Sequence, residues 1–256
     1  MDIFCPVTII ECPPLKTASI RFYKNTITGS KVISETFADN VNKELSRKII
    51  LPKKSKKEVK EMDFDFLHLL VYTQPKLTGI GKKKPEIFEI AVGGNKEEQL
   101  DYAKSKLGKE INIDEIFKEG QQIDIHAVTK AKGVQGPVKR FGINLKSHKG
   151  EKSRRTPGSL GGWIAQGHIM WRTAKAGKMG YHLRTEHNKW LLKINKTNDL
   201  QQKGGFEHYG VIKNPCIILK GSIIGTKKRL IRLNQATRPD KKIPTEAPII
   251  QYTNLK

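Results

Sequence analysis

Read along the chain, the apolar positions fall into short runs bounded by Gly, Pro or charged residues, which is the spacing of strands rather than of long helices. Pro6–Glu11, Thr17–Lys24, Leu69–Thr73, Ile87–Val92 and Gln122–Val128 read as strands. In the last of these, Ile123, Ile125 and Ala127 alternate with Asp124, His126 and Val128, the period-two pattern of a half-buried strand. Trp190–Ile194, Cys216–Leu219 and Arg229–Leu233 follow the same style later on. Helical signals lie between the early strands. Asn95 stands three residues before Glu98, as in a capping box, while Leu100, Ala103 and Leu107 recur on one face and Gly108 supplies a stop. Asn112–Gly120 repeats that grammar in miniature, and the alternating charges of Lys53–Glu61 read as the start of a solvated helix. The pattern predicts a mainly β, α+β chain: a β-barrel with a helical insertion and a long basic loop, without internal repeats.

Composition narrows the partners. The chain has 256 residues, enough for one large domain or two modest ones, and 48 Lys+Arg against 25 Asp+Glu give a net charge of +23. Hydrophobic residues make up 37%, below the usual share of about 45–50%, although that figure also counts Gly. No apolar stretch approaches the roughly 18 residues a spanning helix needs, which argues against an integral membrane protein. The start, MDIFCPVTIIECPP, does not read as a secretory signal. Cys5, Cys12 and Cys216 are odd in number and form no CxxC pair, so neither structural zinc nor a disulfide framework is expected, and a reducing cytosol suits them. A surface this positive calls for a polyanion, and nucleic acid is the first candidate.

The charge is concentrated. From Thr129 to Arg184 there are thirteen Lys/Arg and one carboxylate, Glu151, together with ten glycines. Such a segment buries too little apolar surface to form a compact core by itself. A second basic zone, Lys213–Lys242, carries nine Lys/Arg against Asp240.

Catalytic readings find little support. No GxxxxGK[ST] match exists, since Gly81-Lys82, Gly108-Lys109 and Gly177-Lys178 all lack the hydroxyl and the upstream glycine. His182-Leu-Arg-Thr-Glu186-His187 is one residue too long for the H-x-x-E-H zinc pattern and reads as charged residues on a strand edge or turn. General acid/base and two-metal chemistry both need carboxylates, and residues 125–185 hold only Glu151. No catalytic residue, metal ligand or cofactor is expected.

RNA suits the basic stretch better. Lys and Arg neutralise phosphates, glycine permits close backbone approach, and Trp163, Trp171, Trp190 and Tyr181 lie in or beside it as aromatics able to stack on unpaired bases. Trp190, within Trp190-Leu-Leu-Lys-Ile194, reads as core. Trp163 follows Gly161-Gly162 with few apolar neighbours, so a functional contact and ordinary packing both stay open. His148, flanked by Lys146, Lys149 and Gly150, reads as a polar RNA contact. The remaining candidate RNA-binding residues are Lys130, Lys132, Lys139, Arg140, Lys152, Arg154, Arg155, Arg172, Lys175, Lys178, Arg184, Lys227, Lys228 and Arg229. A basic architectural DNA-binding protein is the alternative, weakened by the lack of a helix-turn-helix, zinc finger or basic zipper. An RNA-processing enzyme comes third.

The string Val128-Thr-Lys-Ala-Lys-Gly-Val-Gln-Gly-Pro-Val-Lys-Arg140 resembles the signature of the universal large-subunit ribosomal protein three family. Ser159-Leu-Gly-Gly-Trp163, Gly177–Glu186 followed by Asn188–Ile194, and Gly221–Leu233 agree with it in order. Thr73-Gln-Pro75 and Lys82–Gly94 resemble the archaeal and eukaryotic version with a helical insertion. The resemblance implies a translation-factor-like β-barrel from residues 1–36, 121–140 and 185–256, an insertion over 37–120, and a basic extension over 141–184. It further implies 23S-type large-subunit rRNA and neighbouring ribosomal proteins as partners, a cytoplasmic place in the large subunit, and neither membrane nor self-association. Trp163 matches the tryptophan that this family brings nearest the peptidyl transferase centre. His148 matches a histidine methylated in some eukaryotic relatives. Ala131 stands where the signature usually has Gly. The family begins with a basic arm and a first barrel strand ahead of the segment matching PVTIIE. A misassigned start, a separate polypeptide and a barrel with an open edge are the three accounts of their absence here.

Overall fold

The strands of the computed structural model, which describes residues 3–52, 63–162, 167–196, 200, 202 and 204–254, are β1 (Val7–Glu11), β2 (Leu15–Thr26), β3 (Gly29–Phe37), β4 (Phe66–Tyr72), β5 (Ile87–Ala91), β6 (Glu110–Ile111), β7 (Gln122–Val128), β8 (Val134–Gln135), β9 (Gly177–Lys178), β10 (Leu183–Asn195), β11 (Cys216–Lys220) and β12 (Arg232–Gln235). Two α-helices accompany them, α1 (Lys96–Lys106) and α2 (Pro137–Phe141). The chain is mainly β with few helices, and it divides into two compact units. The first comprises residues 1–123, 188–222 and 235–256, and the second residues 124–187 and 223–234.

The first unit holds a sheet in the order β3-β2-β4-β5, with β6 also pairing β2. Its central strand β4 is buried on both faces, and alternation decides which core each residue joins. Leu67, Leu69 and Val71 pack with Ile20, Phe22 and Phe64, and Ala103 of α1 closes that core with Leu100 and Leu107 beside it. Leu70 and Tyr72 face the opposite way, against Ala18 and Leu45. α1 begins where the capping box places it: the Glu98 carboxylate accepts the Asn95 amide at 2.9 Å, and Gly108 leaves the helix at φ +73°. Asn112–Gly120 yields one 3-10 turn, Ile113–Glu115. The Lys53–Glu61 helix start lies outside the described residues.

β3 carries no sequence signal because both of its faces are largely exposed and polar. It forms as the hairpin partner of β2, with pairs running from Ser19–Phe37 to Thr26–Gly29. Gly29 takes φ +122° at the turn, where a side chain would be strained.

The same unit also contains β1 and β11, paired from Val7–Lys220 to Glu11–Cys216, and the end of β10 on the other side of β11. Leu192, Cys216 and Ile218 pack there with Leu200 and Ile212, and Trp190 lies against them half-buried, its indole N–H donating to the Gly120 carbonyl at 3.1 Å. The Glu11 carboxylate gathers the following loop. It accepts the Lys213 amide at 2.9 Å, the Asn214 amide at 3.0 Å, the Asn214 side-chain amide at 2.8 Å, and the Tyr209 hydroxyl. Burial and that carboxylate together push the Tyr209 phenol up.

Beside Glu11, burial first and then the neighbouring Cys216 and Glu11 push the Cys12 thiol up to about 12. A thiol held there exposes almost no thiolate at neutral pH, so its alkylation by iodoacetamide at about pH 8 should run roughly a thousandfold slower than that of a solvated cysteine, rising about tenfold per pH unit. The raised value also sets a sign for stability. Its contribution is complete below the unfolded value near 9 and is lost as pH climbs towards about 12. Mass-spectrometric labelling of the folded chain across pH 7–11 checks this, and labelling of Cys12 as fast as an unfolded control would refute it.

In the second unit, β7 lies between β10 and β12. β12 starts at Arg232 rather than at Arg229 as expected. Lys228 takes φ +69° in a turn closed by the Arg229 amide on the Thr226 carbonyl, and Arg229 is drawn out of the strand to serve other carbonyls.

Candidate nucleic-acid interface

The second unit carries seventeen Lys/Arg and three carboxylates, Asp124, Glu151 and Glu186, a net +14 in 76 residues. Every cationic candidate named above falls within it. It buries Ile125 and Ala127 of β7 and Ile224 of a later turn, but from Val138 to Trp190 no described residue is buried. The long segment is therefore organised by hydrogen bonds and turns rather than by an apolar core.

Those turns follow from the sequence locally. β8 pairs β9 through Val134–Lys178 and Gln135–Gly177, which joins the two ends of the long basic segment. Pro137 starts α2 at the position that needs no amide donor, and Gly142, at φ +70°, ends it. Further out, Lys146 and Arg154 clasp the Lys146–Gly150 motif. The Lys146 amide donates to the Arg154 carbonyl at 3.1 Å, the Arg154 Nε to the Lys146 carbonyl at 3.3 Å, and the Gly150 amide to the Ser147 carbonyl at 3.0 Å. His148 projects exposed from that turn.

Three of the candidate cations shape backbone beyond their own chain neighbours. Arg140 Nη1 reaches the Lys175 carbonyl at 2.9 Å, with its guanidinium carbon 5.0 Å from the Phe141 ring centroid. Arg229 Nη1 bridges the carbonyls of Val128 and Thr129 at 2.9 and 2.8 Å. Arg154 holds the turn just described. Lys130, Lys132, Lys139, Lys149, Lys152, Arg155, Arg172, Lys175, Lys178, Arg184, Lys227 and Lys228 are exposed, as is Arg154 itself, whereas Arg140, Lys146 and Arg229 are half-buried.

Charge pairing differs sharply between the units. In the first, Lys24–Asp63, Lys76–Glu44, Lys82–Glu86 and Lys106–Glu115 are ion pairs. In the second, Asp124 is matched by His187, 3.0 Å away. Among the described residues, no such ion pair with a carboxylate is formed by Lys130, Lys132, Lys139, Lys149, Lys152, Arg155, Arg172, Lys175, Lys178 or Arg184. Uncompensated cations raise a positive potential. It acts on His182, whose imidazole is held below its ordinary value by partial desolvation and then by Lys178, Arg184 and Arg140. Among the described residues there is also no cluster of His, Cys, Asp or Glu able to hold a metal ion, and no helix is long and apolar enough to cross a membrane.

The cation-rich, carboxylate-poor second unit lies within a chain that matches a known family. The family model described as Ribosomal protein L3 matches this chain in two overlapping stretches, residues 1–66 and 53–254. The chain belongs to the ribosomal protein L3 family. Among its relatives is the large ribosomal subunit protein uL3 of Methanocaldococcus jannaschii, 45% identical over 262 residues, which cover 98% of this chain and 78% of the relative. That of Archaeoglobus fulgidus is 46% identical over 250 residues, covering 94% and 75%. That of Methanobrevibacter smithii is 44% identical over 270 residues, covering 100% and 80%. The chain is thus an archaeal-type L3 protein, from a family of ribosomal constituents rather than of enzymes.

Within this L3 chain the cationic candidates from Lys130 to Arg184, and Lys227–Arg229, come together in one unit. Trp163 lies outside the described residues. The sequence did not reveal that Arg140 and Arg229 spend hydrogen bonds on main-chain carbonyls. Both arginines are visible in the sequence, but which carbonyls they meet depends on the fold of Val128–Thr129 and Lys175.

Proposed function

We propose that this chain is a structural, non-catalytic constituent of the large ribosomal subunit that binds 23S-type rRNA through its second unit. One observation carries the reading: in an L3-family chain, seventeen cations and three carboxylates share a 76-residue unit whose candidate side chains are mostly exposed. Fixed, unpaired cations neutralise phosphates and release counterions, a sequence-independent source of affinity. The relatives' name, large ribosomal subunit protein, supplies the assembly. The partners proposed are large-subunit rRNA and adjacent ribosomal proteins, in cytoplasmic large subunits, with a single copy rather than a homo-oligomer.

The proposed architecture is a β-barrel from residues 1–36, 121–140 and 185–256, carrying the 37–120 insertion, with residues 141–184 threading the rRNA. The paired ends of the basic segment at β8 and β9, and the lack of any buried residue among those described from Val138 to Gly177, support an extension that is ordered by phosphate contacts. Trp163 is proposed for its tip near the peptidyl transferase centre, on the strength of the Ser159–Trp163 segment. Sedimentation tests the assignment. A tagged chain expressed in a methanogenic archaeon should comigrate with large subunits at moderate salt and resist DNase. Migration with chromosomal DNA, or as free protein, overturns it.

A further inference from the structure

Tyr181 is a bulky residue in an unfavourable place. It takes φ +56°, in the left-handed region, and is itself 58% exposed. That conformation is unfavourable for an aromatic residue, so the surroundings must over-determine it. They do. On one side, the Lys132 amide donates to the Met179 carbonyl at 3.0 Å and the Met179 amide to the Gly133 carbonyl at 2.9 Å. On the other, the Thr129 amide donates to the His182 carbonyl at 2.9 Å and the His182 amide to Thr129 Oγ1 at 3.2 Å. Between these clamps Gly180, at φ +76°, lies so close to the Lys130 carbonyl that no side chain fits. The pair Gly180-Tyr181 is thus a pinned left-handed kink, a device that re-aims a side chain out of a ladder.

The ring that results is steadied by cations. The Arg229 guanidinium carbon lies 5.6 Å from its centroid and Lys178 Nζ 5.9 Å. Arg229 does not depend on the ring for its position, because the Val128 and Thr129 carbonyls already hold it. A ring whose only role was to pack against Arg229 would be buried, and it is not. An exposed, strained, rigidly held aromatic bordered by two cations has the chemistry of a stacking platform for a base with its phosphate attached.

We propose that Tyr181 is a stacking platform for an unpaired rRNA nucleobase and that Lys178 contacts the phosphate of the same nucleotide. The proposal rests on the RNA-binding reading above and assigns one residue and one contact type within it. Its test uses the full chain and in vitro transcribed archaeal large-subunit rRNA, carrying 5-iodouridine, 5-iodocytidine, 6-thioguanosine or 8-azidoadenosine in turn. Irradiation should crosslink Tyr181 to one nucleotide. Tyr181→Phe should bind as wild type, while Tyr181→Asn, which tolerates the left-handed backbone, should bind about 5- to 150-fold more weakly. The Asn variant should keep the salt slope, because the ring carries no charge, whereas Lys178→Ala should lower that slope by about 1. A wild-type chain that does not bind the transcript overturns the RNA-binding reading and this proposal with it. A chain that binds yet gives no Tyr181 crosslink, or whose Asn variant binds as tightly as wild type, overturns the platform alone.

Discussion

Raising the salt from about 50 to 200 mM weakens binding of the free protein to large-subunit rRNA by roughly 10³–10⁵-fold, the response expected when ~6–10 phosphates are neutralised. The exposed cations of the second unit outnumber that requirement, so the estimate does not need every one of them to reach a phosphate. Variants separate the contributors. Replacing Lys130, Lys132 or Lys178 by Ala lowers the slope of log affinity against log salt by about 1 each. Lys24→Ala and Lys82→Ala leave it unchanged, because Asp63 and Glu86 already compensate those charges at 2.6 and 2.7 Å. Filter binding over a salt series measures all five. A nearly flat response in the wild type removes the electrostatic account of this surface.

Trp190→Ala lowers the stability of the free protein by about 3 kcal/mol, the lower end for truncating a core tryptophan because the ring is half-buried. Two losses combine. The ring leaves a cavity against the cluster of Leu192, Leu200, Ile212, Cys216 and Ile218, and the Gly120 carbonyl loses its indole donor. For a chain of this size, that free energy shifts the melting temperature down by roughly 6–12 °C. Trp190→Phe keeps most of the packing and loses only the donor, so it costs about 1 kcal/mol. Trp163→Ala, in a glycine-rich setting, leaves the melting temperature near wild type. Calorimetry on the three variants decides the matter, and a Trp190→Ala protein that melts with wild type would show the ring to be incidental.

Much of the scaffold is legible before folding. Gln122–Val128 forms β7 over the predicted span because its alternation is complete, and α1 begins at the predicted cap because Asn95 and Glu98 satisfy each other locally. β3, the longest of the elements missed, has no apolar face to read: its ladder comes from β2, a partner that only chain reversal at Gly29 brings alongside. The displaced start of β12 has a similar origin, since Arg229 leaves the strand for carbonyls a hundred residues away in sequence.

The candidate interface divides along the same line. Its charge, its glycine content and its family signature belong to the sequence, because the identity of an ionisable group and its neighbours along the chain need no folding to define them. What tertiary structure alone decided is which charges remain uncompensated and which are used up. Carboxylates reach Lys24, Lys76, Lys82 and Lys106 across the first unit, main-chain carbonyls engage Arg140 and Arg229 in the second, and Lys130, Lys132 and Lys178 are left exposed. The left-handed kink at Gly180-Tyr181 is of this second kind. An aromatic residue avoids that backbone by local preference, and only hydrogen bonds from Thr129, Lys132 and Gly133, distant in sequence, make it the lower-energy state.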